Sequence, residues 1–200
     1  TGVYSAVAVL AALNRRRETG MGAHIDMALL DTQVSVMGNQ ALNWMTSGVV
    51  PRRVGNGHAN LVPYQAFPTR DGDLIIAVGN DGQFAALCRV LDIALDRDER
   101  FITNPQRIRN RVDLIEAIEV ITAQWGREEL FKQLEQAGIP AGPINELDQV
   151  FANPQVIARG MAVERDGRPG VASPIIIDGV RMVSDRPAPG IPEEIEPDFQ

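Results

Sequence analysis

The chain changes character across residues 46–63, and this change limits the fold more than any other feature. Ahead of it lie apolar runs at helical spacing. Behind it lie a hairpin pattern and three amphipathic helical patterns. Between them, Gly48, Pro51, Gly55, Gly57 and Pro63 interrupt both periods, and Arg52 and Arg53 add charge. A stretch of this kind reads as a loop or linker joining two organised parts. Helical and short-strand patterns both occur along the chain.

In the leading part, Tyr4 to Asn14 is apolar on every side, with alanine at positions 6, 8, 11 and 12. That pattern predicts a buried helix that another element can approach closely. Arg15, Arg16 and Arg17 fall in its last turn, where cations complement the helix dipole. Gly20 and Gly22 end it. His24 to Met27 alternates polar and apolar residues and predicts a short strand. Val34, Met37, Ala41, Leu42 and Met45 form a helical stripe and predict a helix over Asp31–Met45.

After the break, Tyr64–Thr69 and Leu74–Val78 flank Asp71-Gly72 and predict a hairpin with a tight Asp-Gly turn. Three helices are predicted next. Gly82–Leu91 has Phe84, Leu87, Cys88 and Leu91 on one face. Arg111–Gln124 carries Leu114, Ile115, Ile118 and Ile121. Arg127–Gln136 carries Leu130, Phe131 and Leu134, and Gly138 ends it. Residues 137–143 read as a loop restricted by proline. Glu146–Phe151 reads as a short helix, and Asn153-Pro154 can open another. Met161–Glu164 and Ser173–Ile177 are strand candidates. From Arg186 on, prolines and acids predict an extended, solvated tail.

Composition narrows the function classes. In 200 residues, 26 acidic and 19 basic side chains give a net charge of −7. That excludes a dedicated nucleic-acid binder, which needs a basic footprint. No stretch approaches the roughly 20 apolar residues of a membrane span. The single cysteine, Cys88, leaves no internal disulfide and suits a reducing, cytoplasmic setting. Its place on an apolar helix face predicts a packing residue. His24 and His58 lack partners at ligand spacing, so no metal site is expected. There is no Gly-x-Ser-x-Gly elbow and no phosphate loop.

Two features could carry chemistry. Asp26 sits in the predicted strand, where its ordinary role is a solvated polar residue. Asp31 sits where strand gives way to helix. Its ordinary role is an N-cap or first-turn acid. The same position favours an anion, and an ionised carboxylate can attack an activated acyl group. The residue pattern alone leaves both roles open. The second feature is the loop Gly55-Asn56-Gly57-His58-Ala59-Asn60, read on its own as a turn. His58 there is ordinarily a backbone contact. Arg52 and Arg53 are ordinarily solvated.

Residues 17–40, RETGMGAHIDMALLDTQVSVMGNQ, resemble the signature of the family III CoA-transferases, the CaiB–BaiF type. So does GNGHANLVPYQAF at 55–67, and the segments around Asp71-Gly72, Val78-Gly79-Asn80, Ala137 to Asn145, Asn153 to Val156 and Arg186 to Gly190 follow in the family's order. The resemblance implies a Rossmann-like large domain with an inserted small α/β domain. On that map 1–50 ends the N-terminal part of the large domain. Residues 51–64 are linker and active-site loop, 65–145 the small domain, and 146–200 the return to the large domain. Asp31 takes the nucleophile position. Asn56, Gly57, His58, Asn60, Tyr64 and Gln65 border the active site, with loop backbone N–H groups as oxyanion donors. Coenzyme A would be a substrate rather than a bound cofactor, and most of its contacts would lie upstream of Thr1. The chain would then be a C-terminal piece, inactive alone and exposing apolar surface on its first helix, of a protein that forms an interlocked homodimer.

The wording of Val62 to Phe67 resembles members acting on succinyl-CoA and small dicarboxylates. Two other readings stand beside this one. The first is an α-methylacyl-CoA racemase of the same family. The second is a non-catalytic piece supplying packing or dimer surface.

Overall fold

The computed structural model describes residues 1–187, 189 and 190. The chain is α/β and divides into two compact units, Thr1–Gly55 and Asn56 onward. The division falls inside the breaker-rich stretch. Residues 191–200, and with them most of the tail read as extended, lie outside the described residues.

The first unit holds three helices: α1 (Gly2–Thr19), α2 (Leu29–Val36) and α3 (Gly38–Ser47). Helix α1 runs longer than its apolar core predicts. It closes with Arg16 and Arg17 in the last turn and Gly20 in the left-handed region. The helix predicted over Asp31–Met45 is two helices. They are separated at Met37, whose φ of −76° and ψ of 8° leave helical geometry. The glycine that follows favours such a break.

Two further expectations for this unit are corrected. His24–Met27 forms no strand. A strand needs a neighbour for its N–H and C=O groups, and this unit holds no other strand among the described residues. The alternation survives only in exposure: Ile25 and Met27 are half-buried, while His24 and Asp26 are exposed. Nor is α1 buried. None of the three helices buries a residue. Val3 is 80% exposed, Leu29 74% and Met45 70%.

The second unit is built on a three-stranded antiparallel sheet, β1 (Tyr64–Thr69), β2 (Gly72–Ala77) and β3 (Ala141–Pro143), with β2 in the middle. Alternation explains β1 and β2. Phe67, Leu74 and Ile76 are buried, and their strand neighbours face outward. The turn is tight but differs from expectation. Thr69 pairs with Gly72, so the two loop residues are Arg70 and Asp71, and Gly72 is the first strand residue. Its φ of +145° is open to glycine. Strand β3 lies within the segment 137–143 that reads as loop in the sequence. It pairs with Leu74–Ile76 at the sheet edge, where Pro143 removes no needed donor.

Helices α4 (Asp81–Val90), α5 (Asn104–Arg109), α6 (Arg111–Thr122) and α7 (Arg127–Gln136) accompany the sheet. Phe84, Leu87 and Cys88 from α4, Leu114 and Ile118 from α6, and Leu130 and Leu134 from α7 join the strand residues in one core. Full burial of side chains of this size stabilises by about 1.5–3 kcal/mol each. Burial pushes the Cys88 thiol up to about 11.

Helix α7 has Gly126 at its N-cap, a residue with no side chain to accept a bond. The acceptor comes from the hairpin turn instead. Asp71 Oδ1 accepts from Arg127 N at 2.7 Å, and Arg70 N donates to Trp125 O at 2.9 Å. The bond from Arg127 N holds the Asp71 carboxyl below its ordinary value of 3.8.

Downstream lie α8 (Leu147–Ala152), α9 (Pro154–Ala158) and two hairpins. These are β4 (Ala162–Arg165) with β5 (Arg168–Val171), and β6 (Ile176–Ile177) with β7 (Val180–Arg181). A helix opens at Asn153-Pro154 as expected, and the Asn153 side chain caps it, accepting from Gln155 N at 2.8 Å. The strand predicted over Ser173–Ile177 shrinks to its last two residues. Both hairpins turn on Asp-Gly pairs, with Asp166 and Gly167 at φ 51° and 71° and Asp178 and Gly179 at 50° and 79°. That geometry matches strand twist.

Two predictions follow from this packing. Asp71→Ala is expected to lower the urea midpoint of the second unit at pH 7. A carboxylate depressed on folding contributes stability above its unfolded value and loses it as pH falls through the folded one. The gap between variant and parent should therefore close on acidification below pH 3.8. A pH-independent gap would contradict the capping role. Separately, Cys88 should react with a maleimide at pH 7.5 far more slowly than a free cysteine peptide, and reach peptide-like rates only in denaturant.

Candidate active site

Asp31 lies in the first turn of α2, exposed. Ala28 is the N-cap, so Asp31 is three residues into the helix and is not the cap itself. Of its two ordinary roles, the first-turn acid is the one that holds. Its carboxylate stands near unpaired helix N–H groups, a setting that favours an anion. Asp26 is exposed in the segment ahead of α2, three residues before its first residue Leu29.

The second unit opens with the loop that the sequence singled out. Its bonds are specific. Asn56 Oδ1 accepts from Ala66 N at 3.0 Å, tying the loop to β1. His58 N donates to Tyr64 O at 2.8 Å. The His58 ring accepts at Nδ1 from Asn60 N (3.0 Å) and Leu61 N (3.1 Å). It also stacks on Tyr64, with centroids 5.1 Å apart and planes 17° off parallel. Asn56, Gly57, His58, Asn60, Tyr64 and Gln65 are thus brought together in one loop and strand start. Asp31 belongs to the other unit.

One expectation changes here. The backbone N–H groups of His58 and Asn60 are engaged inside the loop and are not free to meet an oxyanion. Among the described residues, the N–H groups of Asn56, Gly57 and Ala59 have no such bond. His58 has the ordinary backbone role through Nδ1. Its other ring nitrogen is not used there.

Three side chains missed by sequence reasoning hold the loop from outside. Arg107 is 1% exposed. Its Nε donates to Val62 O at 2.7 Å, and one terminal nitrogen donates to Phe101 O and Ile102 O. The other donates to Asp81 Oδ1 at 2.7 Å, and the guanidinium lies 4.5 Å over the Phe84 ring. Asn104 bridges the loop with both ends of its amide: Nδ2 donates to Asn60 O at 2.8 Å and Oδ1 accepts from Val62 N at 3.1 Å. Arg111 donates to His58 O at 2.8 Å and Ala59 O at 3.1 Å. Burial lowers the Arg111 guanidinium from its ordinary value, although an arginine stays charged at neutral pH.

The readable signal was Thr103-Asn104-Pro105-Gln106, a capping-box spelling with proline in the first turn. Gln106 Oε1 accepts from Thr103 N at 3.0 Å, which starts α5 and aims Asn104 and Arg107 at the loop.

Arg52 and Arg53 are exposed. Among the described residues, no three His, Cys, Asp or Glu side chains gather as metal ligands would. No described helix is long and apolar enough to cross a membrane.

The model of CoA-transferase family III matches residues 1–194. Succinate–glutarate CoA-transferase of Agrobacterium fabrum is 46% identical over 199 residues, covering 96% of this chain and 50% of that protein. Human succinyl-CoA:glutarate CoA-transferase is 35% identical, covering 94% of this chain and 44% of that protein. The crystal structure of a CaiB/BaiF family protein from Brucella suis superposes with a TM-score of 0.78 at 46% identity, covering 96% of this chain and 51% of that one. The chain therefore spans about half the length of the relatives it matches. With the family model matched over nearly its whole length, the chain belongs to CoA-transferase family III.

Proposed function

We propose that the full-length protein containing this chain transfers CoA from succinyl-CoA to a small dicarboxylic acid such as glutarate, with Asp31 as the nucleophile. The observation that carries this reading is the likeness to the succinate–glutarate CoA-transferase at 46% identity over 96% of the chain. The names of these relatives favour a transferase over a racemase. Residues 1–50 would belong to the large domain, 65–145 would be the small domain, and 146–200 would return to the large one. Most CoA contacts would come from outside this chain, and the active form would be a homodimer. A single, buried, unpaired thiol suits a cytoplasmic enzyme.

The chemistry needs only acyl exchange. The Asp31 carboxylate attacks the thioester carbonyl carbon, and the tetrahedral intermediate expels the CoA thiolate, leaving a mixed anhydride. The thiolate attacks the aspartyl carbonyl and releases succinate, leaving an aspartyl-CoA thioester. The acceptor carboxylate attacks that thioester and again frees the thiolate. The thiolate then attacks the acceptor's acyl carbon, giving the new acyl-CoA and restoring Asp31. Each step keeps an activated acyl bond, so no thioester energy is lost to water. Developing negative charge on each tetrahedral oxygen calls for fixed donors. The free N–H groups of Asn56, Gly57 and Ala59 are the loop's remaining backbone candidates. The loop's glycines allow close approach.

In the full-length protein, Asp31→Ala is expected to lower succinyl-CoA:glutarate exchange on the order of 10³-fold or more. Hydroxylamine should trap an acyl group on Asp31 of the parent when succinyl-CoA is present. Exchange by Asp31→Ala at the parent's rate would contradict the nucleophile assignment.

A further inference from the structure

The imidazole of His58 is fixed by its surroundings in a way that assigns its ring proton. Nδ1 accepts from two backbone N–H groups, those of Asn60 and Leu61. An imidazole nitrogen that accepts hydrogen bonds carries a lone pair and no proton. In the neutral ring the proton is then on Nε2. Stacking on Tyr64 fixes the ring plane, and the bonds from Arg111 and Asn104 to the carbonyls of His58, Ala59 and Asn60 fix the backbone beneath it.

Nε2 has no hydrogen-bond partner among the described residues. The ring is half-buried, and among the described residues no buried side-chain nitrogen or oxygen lacks a partner. Nε2 therefore reaches solvent. The loop closes several of its own amides internally while pointing one rigid, neutral N–H donor outward. A turn needs only the acceptor at Nδ1, and an asparagine supplies that as well. A histidine adds the second nitrogen on the far side of the ring.

We infer that His58 contacts the substrate, donating its Nε2–H to a carboxyl oxygen of the acid or of its thioester. This rests on the proposed CoA-transferase activity. A neutral donor suits that role. It stabilises developing negative charge on a substrate oxygen without forming an ion pair that would hold the ground-state carboxylate just as tightly.

Two substitutions in the full-length protein separate this role from a structural one. Asparagine places an acceptor near the Nδ1 position and has nothing at Nε2. Glutamine reaches further and offers an N–H donor near the Nε2 position. With succinyl-CoA and glutarate, His58→Asn is expected to keep the parent's melting temperature and lose about 10- to 100-fold in kcat/KM, the scale of one hydrogen bond to a charged group. His58→Gln is expected to recover part of that loss. Any other order, including parent-like exchange by His58→Asn, overturns the assignment. Nitrogen chemical shifts of the His58 ring give a readout independent of activity. They should report a proton on Nε2 and a bare Nδ1, and a proton on Nδ1 overturns the proposal. No exchange by the parent protein would overturn the transferase reading itself, and the ring shifts would still test the tautomer.

Discussion

The buried guanidinium of Arg107 is the constraint on which the second unit depends. A charge taken out of water costs several kcal/mol unless it is paired and hydrogen-bonded. Arg107 meets that demand with three carbonyls, the Asp81 carboxylate and the face of Phe84. These partners come from the loop, from the turn after the 3₁₀ segment Leu95–Arg97, and from the start of α4. One side chain thereby joins three pieces of chain that have no strand or helix in common. Asp81 has a second bond, accepting from Asn104 N at 3.0 Å, so the first turn of α4 and the first turn of α5 are fixed together.

The consequence for the site is a loop that is polar on its inner side and still ordered. Residues 56–63 have no regular ladder of their own. The carbonyls of His58, Ala59, Asn60 and Val62 and the amides of Asn60, Leu61 and Val62 are met by Asn104, Arg107, Arg111 and the His58 ring. A loop entering the core at Val62 and Pro63 without such partners would be strongly unfavourable. Satisfied in this way, it can hold His58 and Tyr64 in a fixed stack at the start of β1. The sheet then carries the arrangement into the core through Phe67, whose side chain is fully buried. The first unit has no such internal support. Its helices carry apolar residues outward, and Asp31 rides on the first turn of one of them.

Much of the second unit could be read from residue spacing. Helix α7 falls on its predicted limits because Leu130, Phe131 and Leu134 share a face and Gly138 follows. The β1–β2 hairpin was legible from alternation, although its turn residues were not: the pairing of Thr69 with Gly72 is set by the register of Phe67 against Leu74, and Asp71 is drawn to the start of α7. The Asp-Gly turns at 166–167 and 178–179 have the same spelling as Asp71-Gly72, but the short strands beside them show too little alternation to mark a hairpin. Strand β3 was hidden because three residues with a proline show no alternation. The missing strand at His24–Met27 has the opposite cause, a correct pattern with no neighbour to pair with. Asp31 and the His58 loop were visible through family resemblance. Arg107, Asn104 and Arg111 were not, since an arginine in the run RIRNR looks like surface until the carbonyls around it are seen.

Native-state hydrogen exchange tests the central claim most directly, because it reads whether the loop is held in solution. The amides of His58, Asn60, Leu61, Val62 and Ala66 all donate to fixed acceptors. They should be protected well above unfolded-chain rates in the parent. In Asn104→Ala, Val62 should lose protection first, while the core amides of α6 and α7 keep theirs. Unfolded-like exchange at those five amides in the parent protein, beside a protected core, would contradict the account.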